Sequence, residues 1–204
     1  KHKMSDTVDH RSYASLEQFR PRLIDTYLDI YKNPVIVTEK IHGSNVQFTA
    51  SWNGTTWVWH IGSRKRWVAE NEKFNNVQKI HTNLLTNLTD LCDELRNDKE
   101  DITIRLYGEV FGGKYGGETA PNAFKTQNEV NYGRDNDVAF FDIVINGDTM
   151  PIVEAFNLLN KHGLRTAPVI YQGDFANFVK SFNVNEFESV VSHRFYGLPH
   201  LKSP

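Results

Sequence analysis

Apolar residues along the chain recur with two periods, and the switches between them mark out its elements. Leu16, Phe19, Leu23, Ile24, Tyr27 and Leu28 fall roughly at helical spacing until Asn33-Pro34 breaks the pattern. Val35 to Glu39 is rich in β-branched residues and reads as a strand. Val46, Phe48 and Ala50 alternate with polar residues up to Asn53-Gly54, and Trp57, Trp59 and Ile61 alternate beyond it, which predicts a β-hairpin. A helix is predicted from about Asn75 to Arg96, where Val77, Ile80, Leu84, Leu88, Leu91 and Leu95 form one apolar stripe. Beyond the charged loop at 97–101, Ile102 to Phe111 reads as a strand running into a glycine-rich loop at Gly112-Gly113 and Gly116-Gly117. Val138 to Ile145 predicts another strand, closed by Asn146-Gly147. A helix from about Pro151 to His162 stops at Gly163, a residue suited to a helix C-terminus. A short strand at 168–171 and helical patterns from Asp174 and Asn185 complete the chain. Hairpin-like connections with helices laid on the sheet predict an α+β fold.

The composition narrows the class without choosing a function. The chain has 204 residues, 39% of them apolar, 24% charged and 12% aromatic, as in ordinary globular proteins. Residues 10–204 are expected to form one domain, with the polar residues 1–9 frayed or left over from cloning. No apolar run approaches the ~18 residues of a membrane span, and no signal-peptide pattern opens the chain, so an intracellular location without membrane attachment is expected. The single cysteine, Cys92, excludes a disulfide framework, and the eight histidines show no metal-ligand spacing. A net charge of −2 excludes a uniformly basic nucleic-acid binder but leaves room for a local basic groove. His81 and Cys92 lie on or beside the helical stripe and read as packing residues. The paired glycines lack the lysine-Ser/Thr pattern of a nucleotide-binding P-loop and read as structural.

Two lysines are followed three residues later by glycine: Lys40 with Gly43, and Lys114 with Gly117. Lys40 ends the β-branched strand, within Glu39-Lys40-Ile41-His42-Gly43-Ser44-Asn45. That segment resembles the first motif of the covalent nucleotidyltransferases, which comprise DNA ligases, RNA ligases and mRNA capping enzymes. Its Gly-Ser-Asn ending is most similar to the RNA ligase 2 family of phage nick-sealing and kinetoplastid RNA-editing ligases. Tyr13-Ala14-Ser15-Leu16-Glu17 resembles that family's lead-in, and Ser63-Arg64 its motif Ia. Leu106 to Gly113 resembles motif III, Phe140-Phe141-Asp142-Ile143 motif IIIa, and Gly197-Leu198-Pro199 the segment ahead of motif IV. The pieces stand in the family's order over about Tyr13 to Pro204. The family pattern continues after that segment with Glu-Gly-x-Val and then Lys-x-Lys, and neither follows Pro199 in these 204 residues.

The resemblance implies a nucleotidyltransferase domain whose antiparallel sheets enclose the nucleotide, and an ATP-dependent RNA ligase working through lysyl-AMP and adenylated RNA. Lys40 would be the nucleophile, and the family supplies divalent metal and the motif V lysines as the positive charge an attacking amine needs, since free lysine has a pKa near ~10.4. His42 is implied in the chemistry at the RNA phosphate. Glu39, Ile41, Asn45, Arg64, Glu109 and Phe141 are implied nucleotide contacts. Several of these residue types suit such contacts, because arginine pairs with phosphate, a carboxylate accepts from ribose hydroxyls, and phenylalanine stacks on adenine. Lys65, Arg66 and Asp142 are candidates for RNA contact, with Trp67 continuing a groove by stacking. Asp142 interrupts an apolar strand with a charge, which calls for a partner. The implied small molecules are ATP and Mg²⁺ or Mn²⁺, and the implied partner is RNA with 5′-phosphate and 3′-hydroxyl ends, nicked or duplex. A DNA ligase, a capping guanylyltransferase, and a non-catalytic module binding nucleic acid or adenylate remain open alternatives.

Overall fold

The computed structural model describes residues 8–14, 20–32 and 34–202. In chain order the elements are α1 (Ile24–Ile30), β1 (Val35–Thr38), β2 (Ser44–Trp52), β3 (Trp57–Ser63), α2 (Val77–Arg96), β4 (Thr103–Lys114) and β5 (Gly133–Ile145). They continue with β6 (Asp148–Thr149), α3 (Ile152–Lys161), β7 (Val169–Gly173), α4 (Phe175–Ser181) and α5 (Val191–Tyr196). The architecture is α+β, with every named strand paired antiparallel. The chain divides into two compact units. One holds the residues through Tyr13, His42–Thr166 and the end from Leu201, and the other holds Ala14–Ile41 and Ala167–His200. Among the described residues no helix is long and apolar enough to cross a membrane.

The larger unit is a five-stranded sheet in the order β3-β2-β4-β5-β6. Strand alternation sends Val46, Phe48 and Ala50 of β2 to one face, with Ile104 and Leu106 of β4 beside them in register, all fully buried. Helix α2 covers that face with Val77, Ile80, Leu88 and Leu91. His81 lies among them, its ring edge-on to Phe48 at 5.0 Å and to Trp59 at 4.8 Å, with Nε2 buried and unpartnered. Cys92 is fully buried on the same helix, and burial pushes its thiol pKa up. Both residues therefore pack, as their positions on the stripe predict.

The opposite face carries Gln47, Thr49, Arg105 and Tyr107, and residues 8–13 are stitched across it. Gln47 Nε2 donates to the Arg11 carbonyl (3.0 Å), as does the Tyr107 hydroxyl (2.7 Å), and Trp67 Nε1 donates to the Val8 carbonyl (3.1 Å). In the smaller unit β1 pairs with β7, and Asp174 caps α4 by accepting from the Asn177 amide at 2.9 Å.

Four boundaries differ from the periodicity. The described part of the first helix begins at Ile24 after a 3₁₀ turn at Pro21–Leu23, while Leu16 and Phe19 lie outside the described residues, as do residues 1–7 and part of the Tyr13–Glu17 lead-in. Strand β4 runs through Gly112 and Gly113 to Lys114 instead of ending in a loop. Side chains at those glycines would meet the carbonyls of Asp135 and Phe124 at 2.2 and 2.0 Å, and both have positive φ, so the strand continues only because glycine occupies them. Strand β5 starts at Gly133, five residues early, because Gly112 and Lys114 supply pairing partners for its polar beginning. The last helix starts at Val191, and the pattern from Asn185 yields only a 3₁₀ turn at Val184–Glu186.

Candidate active site

The segment leaving β1 alternates inward and outward. Glu39 is buried, donating its amide to the Pro168 carbonyl (2.8 Å) and accepting the Val190 amide at Oε2 (3.0 Å). Ile41 is 4% exposed. Lys40, held between these two anchored neighbours, is exposed and makes no hydrogen bond or ion pair among the described residues. Glu39, Lys40 and Ile41 belong to the smaller unit, and the chain enters the larger unit at His42.

The larger unit receives the next residues in a side-chain cradle. The exposed His42 donates its amide to the Tyr132 hydroxyl (3.0 Å). The Gly43 amide donates to Glu109 Oε1 (3.2 Å), and its carbonyl accepts from Gln127 Nε2 (3.0 Å). Asn75 Nδ2 reaches Ser44 Oγ at 3.3 Å. A Cβ on Gly43 would stand 2.1 Å from the Val110 carbonyl oxygen, so the turn packs directly onto β4 and requires glycine. Asn45 pairs with Glu109 across β2 and β4. Gly43, Asn45 and Glu109 thus share one end of the sheet.

Phe141 and Asp142 stand further along the same sheet. In the β4–β5 ladder Tyr107 faces Asp142 and Gly108 faces Phe140, which leaves Phe141 as the extra residue of a bulge. A bulge re-aims side chains, and here it lets one residue touch both. The Tyr13 ring meets Phe141 edge-on at 4.8 Å, and its hydroxyl donates to Asp142 Oδ2. Tyr107 also contacts the Tyr13 ring, at 5.1 Å. Burial raises the Asp142 pKa, which the Tyr13 bond partly offsets; burial and the Asp142 carboxylate raise that of Tyr13. Tyr13 is the partner that a charge at position 142 demands.

The basic run divides. Arg64 and Lys65 are exposed in the turn beyond β3, without a partner among the described residues. Arg66 is engaged by Glu72 through both carboxylate oxygens, one of them at 2.8 Å. That pairing holds the half-buried Glu72 at a pKa of about 2 and engages the guanidinium of Arg66. Trp67 is engaged as well. Its indole N–H is bonded to Val8, and its ring packs against His10 (4.9 Å) and His60 (5.2 Å). Lys114, the competing Lys-x-x-Gly lysine, ends β4 with its amine donated to the Asn128 carbonyl at 2.9 Å.

Gln127, Tyr132 and Asn75 are functional candidates with no periodicity or motif to mark them, since two of them lie in or at the end of an irregular connection. Among the described residues no group of three or more His, Cys, Asp or Glu side chains is placed to hold a metal ion.

The RNA ligase family profile matches residues 33–193. No curated protein matches the chain in sequence. Among solved structures, an archaeal ATP-dependent RNA ligase is similar in two forms, each at a TM-score of 0.51 and 18% identity, over 88% and 84% of this chain. A Naegleria gruberi RNA ligase mutant with AMP and Mn has a TM-score of 0.48 at 16% identity, over 78% of this chain. These matches cover 44%, 40% and 43% of the respective chains, so the present chain spans less than half the length of the structures it resembles. At such identities the archaeal likeness establishes the fold.

Proposed function

The chain belongs to the RNA ligase family, and from that premise we propose that it serves ATP-dependent joining of RNA ends with Lys40 as the nucleophile. One observation carries the reading. Lys40 is the exposed, unbonded lysine of the two Lys-x-x-Gly matches, and its glycine is bonded to Glu109 of motif III. The alternation of buried Glu39 and Ile41 turns the amine outward, where an incoming phosphate can be reached.

The reaction divides into three displacements. Lys40 Nζ attacks the α-phosphorus of ATP, forming a phosphoramidate and releasing pyrophosphate. An RNA 5′-phosphate oxygen then attacks the same phosphorus, which frees the amine and leaves adenylate on the RNA end. A 3′-hydroxyl finally attacks the 5′-phosphate, and AMP departs. In this reading Phe141 supplies an adenine-stacking ring, and Asn45 and Glu109 supply amide and carboxylate groups for the nucleoside. Arg64 pairs with phosphate, Lys65 adds charge toward RNA, and His42 attends the RNA phosphate. Glu39 and Asp142 already hold Val190 and Tyr13, so they act by shaping the site. A divalent cation, Mg²⁺ or Mn²⁺, would neutralise phosphate charge when it enters with the nucleotide.

Intact mass after incubation with ATP and Mg²⁺ tests the proposal. One added AMP is expected, absent in Lys40→Ala and retained in Lys114→Ala. ATP binding without any adduct would favour a non-catalytic adenylate-binding module, and an adduct from GTP in place of ATP would favour a capping guanylyltransferase.

A further inference from the structure

The peptide groups just beyond Lys40 are held in an uncommon way. Glu39 bonds backbone to backbone with Pro168, and the β2–β4 ladder begins at Ser44 with Val110. Between them, the amides of His42 and Gly43 and the carbonyl of Gly43 are satisfied by three side chains: Tyr132, Glu109 and Gln127. Buried or half-buried peptide groups need partners, so these side chains set where the turn lies.

Gln127 and Tyr132 come from residues 115–132, the irregular connection between β4 and β5, which is itself fixed in place. Asn136 bonds the Phe124 amide and carbonyl at 2.8 and 2.7 Å, and Asn76 holds the Asn122 carbonyl at 2.8 Å. The Tyr132 ring, 5% exposed, stands edge-on to Phe111 at 5.7 Å. A connection tethered at these points transmits position to the turn.

We propose that Gln127 and Tyr132 are positioning residues for adenylation: by clamping the turn at residues 42–43, they hold Lys40 in one attack geometry. The inference rests on the lysyl-AMP reading. If Glu109 turns to a ribose hydroxyl, the Gly43 amide loses its acceptor and the clamp depends on Gln127 and Tyr132. Misplacing a reacting group by about 1 Å can cost roughly a hundredfold in rate, so loss of one clamp bond should appear in the lysine's own step.

Tyr132→Phe keeps the buried ring and removes only the hydroxyl; Gln127→Leu removes only the donor and acceptor. Three measurements are made on wild type and both variants: amide hydrogen exchange at His42 and Gly43 by NMR, single-turnover AMP uptake across an ATP series, and sealing of RNA carrying a preformed 5′-adenylate. Exchange at His42 in Tyr132→Phe should rise about tenfold. AMP uptake should slow about tenfold in each variant, with half-saturating ATP within about twofold of wild type. Preadenylated RNA should be sealed at the wild-type rate, because that step does not use the lysine amine as nucleophile. Equal loss in both steps, or a raised ATP requirement, would overturn the proposal in favour of a general structural role. Unchanged exchange would overturn the clamp whatever the activities. A wild-type protein that takes up no AMP would count against the lysyl-AMP reading, and the exchange data would still decide the clamp.

Discussion

Replacing Tyr13 with phenylalanine removes one hydroxyl and leaves a half-buried carboxylate without that donor. The Tyr13 ring remains to pack edge-on against Phe141, so the change isolates the bond to Asp142 Oδ2. Hydrogen bonds to charged groups contribute about 1.5–3 kcal/mol. Asp142 is only partly buried and solvent recovers part of the loss, so about 1–2 kcal/mol of destabilisation is expected at neutral pH. The effect should depend on pH in one direction. Asp142 already has a raised pKa from burial, and losing the Tyr13 donor raises it further. A carboxyl whose folded pKa exceeds its unfolded value binds extra protons when native, so its stabilisation is complete below the ordinary 3.8 and lost as pH rises through the folded value. The gap between wild type and Tyr13→Phe should therefore be small near pH 3.5 and widen toward pH 7. Urea unfolding of both proteins at pH 3.5, 5 and 7 measures it. A gap that stays constant, or narrows toward pH 7, would refute the assignment of Tyr13 as the donor that stabilises the Asp142 carboxylate.

Other outcomes follow from the same contacts. Burial holds His81 at a pKa of about 4 against the ordinary 6.5, so the folded protein resists protonating it. That difference is worth about 3 kcal/mol at ~1.36 kcal/mol per pKa unit. Stability should be intact above pH 6.5 and fall as pH drops toward 4, and urea unfolding should show a shallower acid-side slope in His81→Leu. Arg64→Ala should weaken ATP binding about tenfold, whereas Arg66→Ala should leave RNA affinity within about twofold because Glu72 already occupies Arg66; fluorescence titration checks both. Phe141→Ala should weaken ATP binding by roughly ten- to a hundredfold and Phe141→Leu by less if packing dominates over stacking, by calorimetric titration with folding verified separately.

Local pattern was enough for the elements whose periodicity reports their own burial. The stripe from Val77 to Leu95 announced α2, and alternation about Asn53-Gly54 announced β2 and β3, because each element buries one face of itself. The extension of β4 through two glycines and the early start of β5 depend instead on a partner strand, and pairing leaves no trace in either sequence alone. The site divides in the same manner. The candidate residues Lys40, Gly43, Glu109, Phe141 and Asp142 were singled out by the resemblance of their segments to the family's motifs, in the family's order. Folding decided which of them are free: the charges of Arg66 and Asp142 look as available in sequence as those of Lys40 and Arg64, yet Glu72 and Tyr13 claim the first two. Tyr132 and Gln127 had no signal at all, since they reach the turn from 90 and 84 residues away. Hydrogen bonds of that separation are properties of the chain's path, and the path is set by the burial of the whole sheet, not by the residues that happen to meet there.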